Sequence, residues 1–428
     1  MSHELHENPN TTTYLALDHL GVGPLPLSLM VFPKTLWEDL ALDLQQGIKP
    51  TSTRHPLFVR YVADGKIDLA IEELASFDSE PWVQYNLGVL KGKSSLQARR
   101  LYDKELLILD ELARFTLGET DTLSPQIRET LHQHPITALR ALCGFSLLAL
   151  SCETDDKFLR REVLDQLASM TVGPLTPLTA LIQRTVLGYY KELGLSDAEA
   201  ISGYRHSLKV LEKTDLSQDI GSLHLELATI FHELGSSNPG YLQEAVKCYQ
   251  SATKYFSRKN NPETFGSIQI DLAVCYLAMP MSEVKESLRY AVAISALREA
   301  SRIFRKESHP RQWLATQLNL ANALIYAPSS HTTDNLVEAV SIYSELAACP
   351  QMKEDPNTYA HLMFNWGNAM AHLGDFTQAR SRLHEARRIF EEFQSYQDVK
   401  AVRDLLDEIE RHHMKEATHG AIRADIDG

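Results

Sequence analysis

No stretch of this sequence approaches the roughly 20 consecutive apolar residues that a helix needs to cross a bilayer. The apolar segment from Leu25 to Phe32 is short, and Pro24, Pro26 and Pro33 break it. The first residues, Met1 to Thr13, are polar and histidine-rich and lack the basic start of a secretory signal. Cysteine is scarce: Cys143, Cys152, Cys248, Cys275 and Cys349 are odd in number, dispersed, and form no C-x-x-C pair. That usage argues against a disulfide framework and points to a reducing compartment, so the cytoplasm is the expected location.

Catalytic signatures are missing as well. There is no P-loop, no G-x-S-x-G, no H-E-x-x-H and no glycine turn of Rossmann spacing; Gly21 and Gly23 have no pattern behind them. The histidines do not supply a metal site. His132 with His134, His412 with His413, and His361 with His372 lack an i, i+4 pair backed by a third ligand, and Glu226 lies off the face shared by His224 and His232. The expectation is a protein that is not an enzyme and holds neither metal nor cofactor. Positive charge is also in deficit, with 42 Lys and Arg against 56 Asp and Glu, a net charge of −14. Clustered cations drive phosphate binding, so this balance speaks against a nucleic-acid partner. Two local basic stretches, Arg298, Arg302, Arg305, Lys306 and Arg311, then Arg380, Arg382, Arg387 and Arg388, read as solvated helix faces with paired charges. No sustained period-two alternation marks a strand.

What is present is a repeat. A small residue, a large one four later and usually a small one three beyond recur as Ala200-Tyr204-Ser207, Ala245-Tyr249-Ala252, Ala293-Leu297-Ala300, Ala339-Tyr343-Leu346 and Ala379-Leu383-Ala386. The Ala anchors stand 45, 48, 46 and 40 residues apart, a period that means stacked supersecondary units. Spacings of four and three put each phrase on one helical face. Each phrase has an upstream partner: Leu227-Ala228 with Phe231, Leu272-Ala273 with Tyr276, Leu320-Ala321 with Leu324, and Trp366-Gly367 with Met370. The unit is therefore a helix, a turn and a second helix. Pro262, Pro280, Pro310, Pro328, Pro350 and Pro356 punctuate the boundaries.

The pattern resembles the tetratricopeptide repeat, whose signature is a Leu-Gly pair, a later Tyr, then Ala-x3-Phe-x2-Ala and a Pro. The unit Trp366-Gly367, Gly374-Asp375, Ala379, Leu383, Ala386, Phe390 matches best. A second match lies upstream as Tyr85-Asn86-Leu87-Gly88 with Ala98, Tyr102 and Leu109, and Asp64-Gly65-Lys66 with Ala70, Leu74 and Phe77 reads as half a unit before it. Most spacings exceed the family's 34 residues, which makes the repeats similar to the stretched ones of the kinesin light chain type. The resemblance covers residues 181–395 and, less completely, 61–112; residues 113–180 fit no unit. It implies an all-α, right-handed superhelical solenoid of helix-turn-helix repeats.

The expected organisation is a disordered start at 1–12, a cap or docking segment at 13–60 with a helix near Thr35–Gln46, a first helical block at 61–180, a repeat array at 181–395, a capping helix at 396–416 and a frayed tail at 417–428. Within the first block, Pro135–Leu150 is apolar almost all round and should be buried. The capping helix carries Val399, Val402, Leu406 and Ile409 as its stripe.

In the family, first helices line a concave groove, with the residues just before and just after the Leu-Gly pair turned into it. The resemblance thus implies Asn319 and Asn322, Asn365 and Asn368, and Asn86 as groove residues, with Glu226 and Asp271 at the first of these positions in the units between. A row of amides can hydrogen-bond an extended peptide, but an Asn can equally cap or bridge helices. Leu318 and Phe364 stand where chaperone-tail receptors carry cations, which argues against that ligand. The expected role is a scaffold or adaptor for a protein or peptide partner, with no nucleic acid and no membrane. An accessory subunit of an enzyme encoded nearby and a regulator sensing a peptide or small ligand are the alternatives.

Overall fold

A computed structural model describes residues 55–77, 81–91, 104–116, 118, 120–135, 137–280, 283–328 and 332–426, with Leu40, Asp43, Gln46 and Ile48 before them. Every regular element among the described residues is helical. The chain divides into two compact units, Met1–Leu227 and Ala228–Gly428.

The first unit contains α1 (Leu57–Ala63), α2 (Ile67–Ala75), α3 (Pro81–Leu90), α4 (Lys104–Thr116), α5 (Pro125–Gln133), α6 (Thr137–Glu153), α7 (Lys157–Ser169), α8 (Pro177–Leu187) and α9 (Asp197–Leu211), and the larger part of α10 (Ser217–Gly235). Helices pack on their chain neighbours through α1–α2–α3 and α5–α6–α7–α8–α9, and α4 packs on α6. One apolar cluster runs through it, from Phe58 and Val59 by way of Tyr85 and Leu139 to Ile182 and Val186. The helix α6 buries Ala138, Leu139, Ala141, Cys143, Leu147 and Leu148, as its all-round apolar sequence requires. Ahead of α1, the buried Asp43 and His55 side chains share a hydrogen bond of 2.8 Å. Of the expected helix Thr35–Gln46, Leu40 and Asp43 are helical and buried; most of it lies outside the described residues, as do Ala98 and Tyr102 of the upstream match. Asp64-Gly65-Lys66 forms the turn between α1 and α2, with Ala70 and Leu74 buried beyond it.

Residues 113–180, which match no unit, fold into the same kind of hairpins. Their close contact is carried by Gly144: a Cβ there would lie 2.6 Å from Leu167 Cδ2, so the backbone of α6 approaches α7 more closely than any larger residue allows. A glycine in the first helix facing a leucine in the second has the chemistry of the repeat without its spacing.

The second unit continues α10 and adds α11 (Gly240–Ala252), α12 (Pro262–Ala278), α13 (Glu283–Ser301), α14 (Pro310–Tyr326), α15 (Thr332–Ala347), α16 (Pro356–His372), α17 (Phe376–Glu392) and α18 (Tyr396–Ile426). Pro262, Pro310 and Pro356 each occupy the first helical position, where the missing N–H costs nothing and the fixed φ suits a helix. Asp355 and Asp375 cap α16 and α17, accepting from Asn357 N and Gln378 N at 3.0 Å each. The Ala anchors Ala245, Ala293, Ala339 and Ala379 are all fully buried, as are Tyr343, Leu297 and Leu383 four residues on. Opposite Leu383 sits Gly367, whose Cβ would meet Leu383 Cγ at 2.8 Å and Ala379 O at 3.2 Å. Small against large is therefore how the seam is packed. The helices α12, α14, α16 and α17 are each 17 residues long and α13 is 19, which accounts for the stretched period.

The last helix buries Val399, Val402 and Ile409 and packs on α17 and α16. It does not stop near residue 416 as expected but runs to Ile426. Ala417, Ala421 and Ala424 are strong helix formers, and Gly420 alone does not end the helix.

Five cations of the basic stretches are paired, whereas Arg305, Arg311, Arg380 and Arg382 form no ion pair among the described residues. Arg298 meets Glu338 at 2.9 Å, Lys306 meets Glu345 at 3.2 Å, Arg388 meets Glu392 at 2.6 Å, and Arg302 bonds Glu299. The Arg382 guanidinium stacks 4.0 Å from the Trp366 ring centroid.

Candidate interaction surface on the first helices

In the second unit each first helix packs on its own partner and on the next first helix: α12 on α13 and α14, α14 on α15 and α16, α16 on α17 and α18. This brings three equivalent faces side by side. Residues at i, i+1 and i+4 share a face of a helix. On α12 these are Ile270, Asp271 and Val274; on α14, Leu318, Asn319 and Asn322; on α16, Phe364, Asn365 and Asn368.

The amides on this face are tied into a network. Asn322 Oδ1 accepts from Tyr343 Oη at 2.6 Å and from Asn365 Nδ2 at 2.9 Å. Asn368 Nδ2 donates to Tyr326 Oη at 3.3 Å. The Tyr343 node has a counterpart two helices earlier. Tyr249 is the large residue of its repeat phrase, and Asp271 of the next first helix lies close enough to act on its hydroxyl. Thr229 and Asn322 follow the Leu-Ala pair, and Asp271 and Asn365 precede the pair one unit on. A buried tyrosine hydroxyl thus stands at corresponding positions in both units, and at Tyr343 the hydrogen bonds stitch α14 to α16. Burial raises both hydroxyls well above the ordinary tyrosine range, which keeps them protonated as donors.

Within a hairpin a small residue of the first helix faces a large one of the second, and the second helix then packs on the first helix of the next hairpin. The repeats are stacked helix-turn-helix units.

Between the two nodes the repeat breaks its own rule. Leu297 replaces the tyrosine and Val274 replaces the residue after the pair, so no polar group is there to engage Asn319. Asn319 is half-buried and makes no hydrogen bond among the described residues. Around it Leu318 and Phe364 are half-buried and pack at the edge of the core, while Tyr326 is 48% exposed.

The sequence-derived groove set divides on these facts. Asn86 is wholly buried in α3 and Asn368 retains 9% exposure, so neither is a solvent-facing groove residue. A buried amide must find partners, and Asn368 finds the Tyr326 hydroxyl. Asn322 and Asn365 bridge helices with one end of each amide. Their remaining ends, Nδ2 of Asn322 and Oδ1 of Asn365, are a donor and an acceptor next to Asn319 in the row. The tyrosine nodes were not read from the sequence; the recurrence of Tyr at 249 and 343 against Leu at 297 was the available signal.

Carboxylates occupy the other first positions. Asp271 is largely buried, which pushes its pKa up; His232 and the Tyr249 hydroxyl act in the opposite direction. In the first unit burial likewise raises Glu226 and Asp219 against the opposing pull of Arg184, whose Nη1 donates to Asp219 Oδ1 at 2.9 Å. Cys275, one turn beyond Asp271, is buried and its thiol is pushed up to about 12, chiefly by desolvation, so it is no nucleophile. No group of His, Cys, Asp and Glu among the described residues could hold a metal ion. No helix among them is long and apolar enough to cross a membrane.

No family model matches the chain, and no curated protein matches it. Among solved structures it is similar to two crystal structures of a Podosopora anserina protein of kinesin light chain type with nearly identical TPR-like repeats. Each is 20% identical over 50% of this chain and 95% of its own, with TM-scores of 0.37 and 0.36. It is also similar to a Rap protein complexed with Competence and Sporulation Factor, 10% identical over 84% of this chain and 96% of that one, with a TM-score of 0.39.

Proposed function

We propose that the protein is a non-enzymatic interaction scaffold of the cytoplasm, and that the first-helix face of its second unit holds a segment of a partner protein. One observation carries the reading: Asn319 is a half-buried amide left without a partner, flanked by Leu318 and Phe364. Its amide atoms still reach solvent, so a ligand can take the place of water on them. An extended backbone would do so, taking a hydrogen bond from Asn319 and from Asn322 Nδ2 and giving one to Asn365 Oδ1, while its side chains cover the two apolar residues.

Display of random peptides against the full chain tests this. Selected peptides are expected to slow amide hydrogen exchange in α14 and α16. Asn319→Ala should weaken them by about 1–2 kcal/mol, the worth of a hydrogen bond to a buried group, at unchanged melting temperature. Peptides that bind equally well to Asn319→Ala and protect other helices would sink the groove reading.

A further inference from the structure

We propose that the segment held on this face presents a lysine or arginine to Asp271, so that the surface selects basic segments with an apolar side chain beside the cation. The inference rests on the interaction reading above and adds the partner's chemistry. Asp271, Asn319 and Asn365 occupy the same position on three consecutive first helices, with α12 packed on α14 and α14 on α16. Asp271 is the one formal charge in that row and stands at its end.

Its surroundings do not neutralise it. The Tyr249 hydroxyl and the His232 ring are the groups that act on its charge, and of these only His232 is able to carry positive charge. No Lys or Arg forms an ion pair with it among the described residues. The contrast within the same unit is plain: Glu338, Glu345 and Glu392, all more exposed, each have a cationic partner. A carboxylate drawn out of water with no matching cation gains most from one that arrives with a ligand. Burial holding its pKa up is the same deficit seen in its titration. The apolar neighbours Ile270 and Val274 suit the methylene stem of such a side chain. The net charge of −14 favours the approach of a cationic partner over long range.

The test uses the full chain and a positional-scanning library of octapeptides, acetylated and amidated so that the ends carry no charge. The expected result is enrichment of Lys or Arg at one fixed position with an apolar residue nearby. Replacing that cation by Gln in the best peptide should weaken binding to the wild type by roughly tenfold or more. The same replacement should change binding to Asp271→Asn by less than about twofold. The Asn variant keeps a carbonyl oxygen for Tyr249, and a thermal melt confirms that it folds. Asp271→Lys should in turn favour acidic residues at that position. Peptides that depend on Asn319 yet show no basic preference, or lose as much affinity with Asp271→Asn as with the wild type on removal of the cation, would overturn this proposal and leave the groove standing. No bound peptide at all, or binding indifferent to both Asn319 and Asp271, would overturn the groove reading and this proposal with it.

Discussion

Asp271 shows how a residue at a repeat position can be chosen against stability. Burial sets its folded-state pKa above the roughly 3.9 of a carboxylate in an unfolded chain. Between those two values the native state holds more protons than the unfolded state, so this group's contribution to stability is full at low pH and is lost as pH rises through the folded value. Asp271→Asn removes the titration. The unfolding free energy of Asp271→Asn minus that of wild type should therefore climb as pH rises from about 4 and level off above the folded-state pKa. Urea melts of both proteins across that range measure it. A flat difference would mean that Tyr249 and His232 offset burial fully, and one that falls with pH that they outweigh it. The amides illustrate the limit of reading single residues. Asn322, Asn365 and Asn319 look alike in sequence, and their roles differ because of what stands across from them: Tyr343 supplies a hydroxyl at one node, whereas Leu297 and Val274 supply none at the other.

Among the elements, α18 is the one whose removal tests the packing. Val402 is fully buried, Ile409 retains 2% exposure and Val399 7%, and the helix packs on α16 and α17. Burial of a large aliphatic side chain is worth about 1.5–3 kcal/mol, so these three together hold roughly 4.5–9 kcal/mol. Deleting residues 396–428 removes them and bares the apolar surface of α17 that they cover. The truncated protein should melt at lower temperature and self-associate in size-exclusion chromatography as concentration rises. A monomer of unchanged melting temperature would show that α18 is not a cap. The stripe of this helix was legible because it follows a 3.6-residue period. Its far end was not, since helix length beyond the buried stripe depends on weak propensities rather than on packing. The hairpins of residues 113–180 escaped for a different reason: Gly144 against Leu167 makes the close contact without the spacing that marks the other seams.

At the scale of the whole molecule, a repeat array is held by interactions between neighbours, so a local fault should stay local. Ala293 is fully buried in α13, in the middle of the second unit. Ala293→Leu adds three carbons to a filled seam, which costs about 1–3 kcal/mol. Hydrogen exchange should accelerate in α12 to α15 well before it does in α17 and α18. Uniform acceleration through the second unit would mean that it unfolds as a single cooperative body.

The sequence by itself determined that the chain is helical, that its helices come in hairpins, and which residues form the seams. These follow from short-range periodicity and from residue volume, both of which can be counted along a chain. The tertiary structure alone decided what the polar residues of the first helices do. A hydrogen bond depends on which group lies across a gap of about 3 Å. The groups that meet there, Tyr343 with Asn322 and Asn322 with Asn365, come from three different helices, brought together only when the hairpins stack.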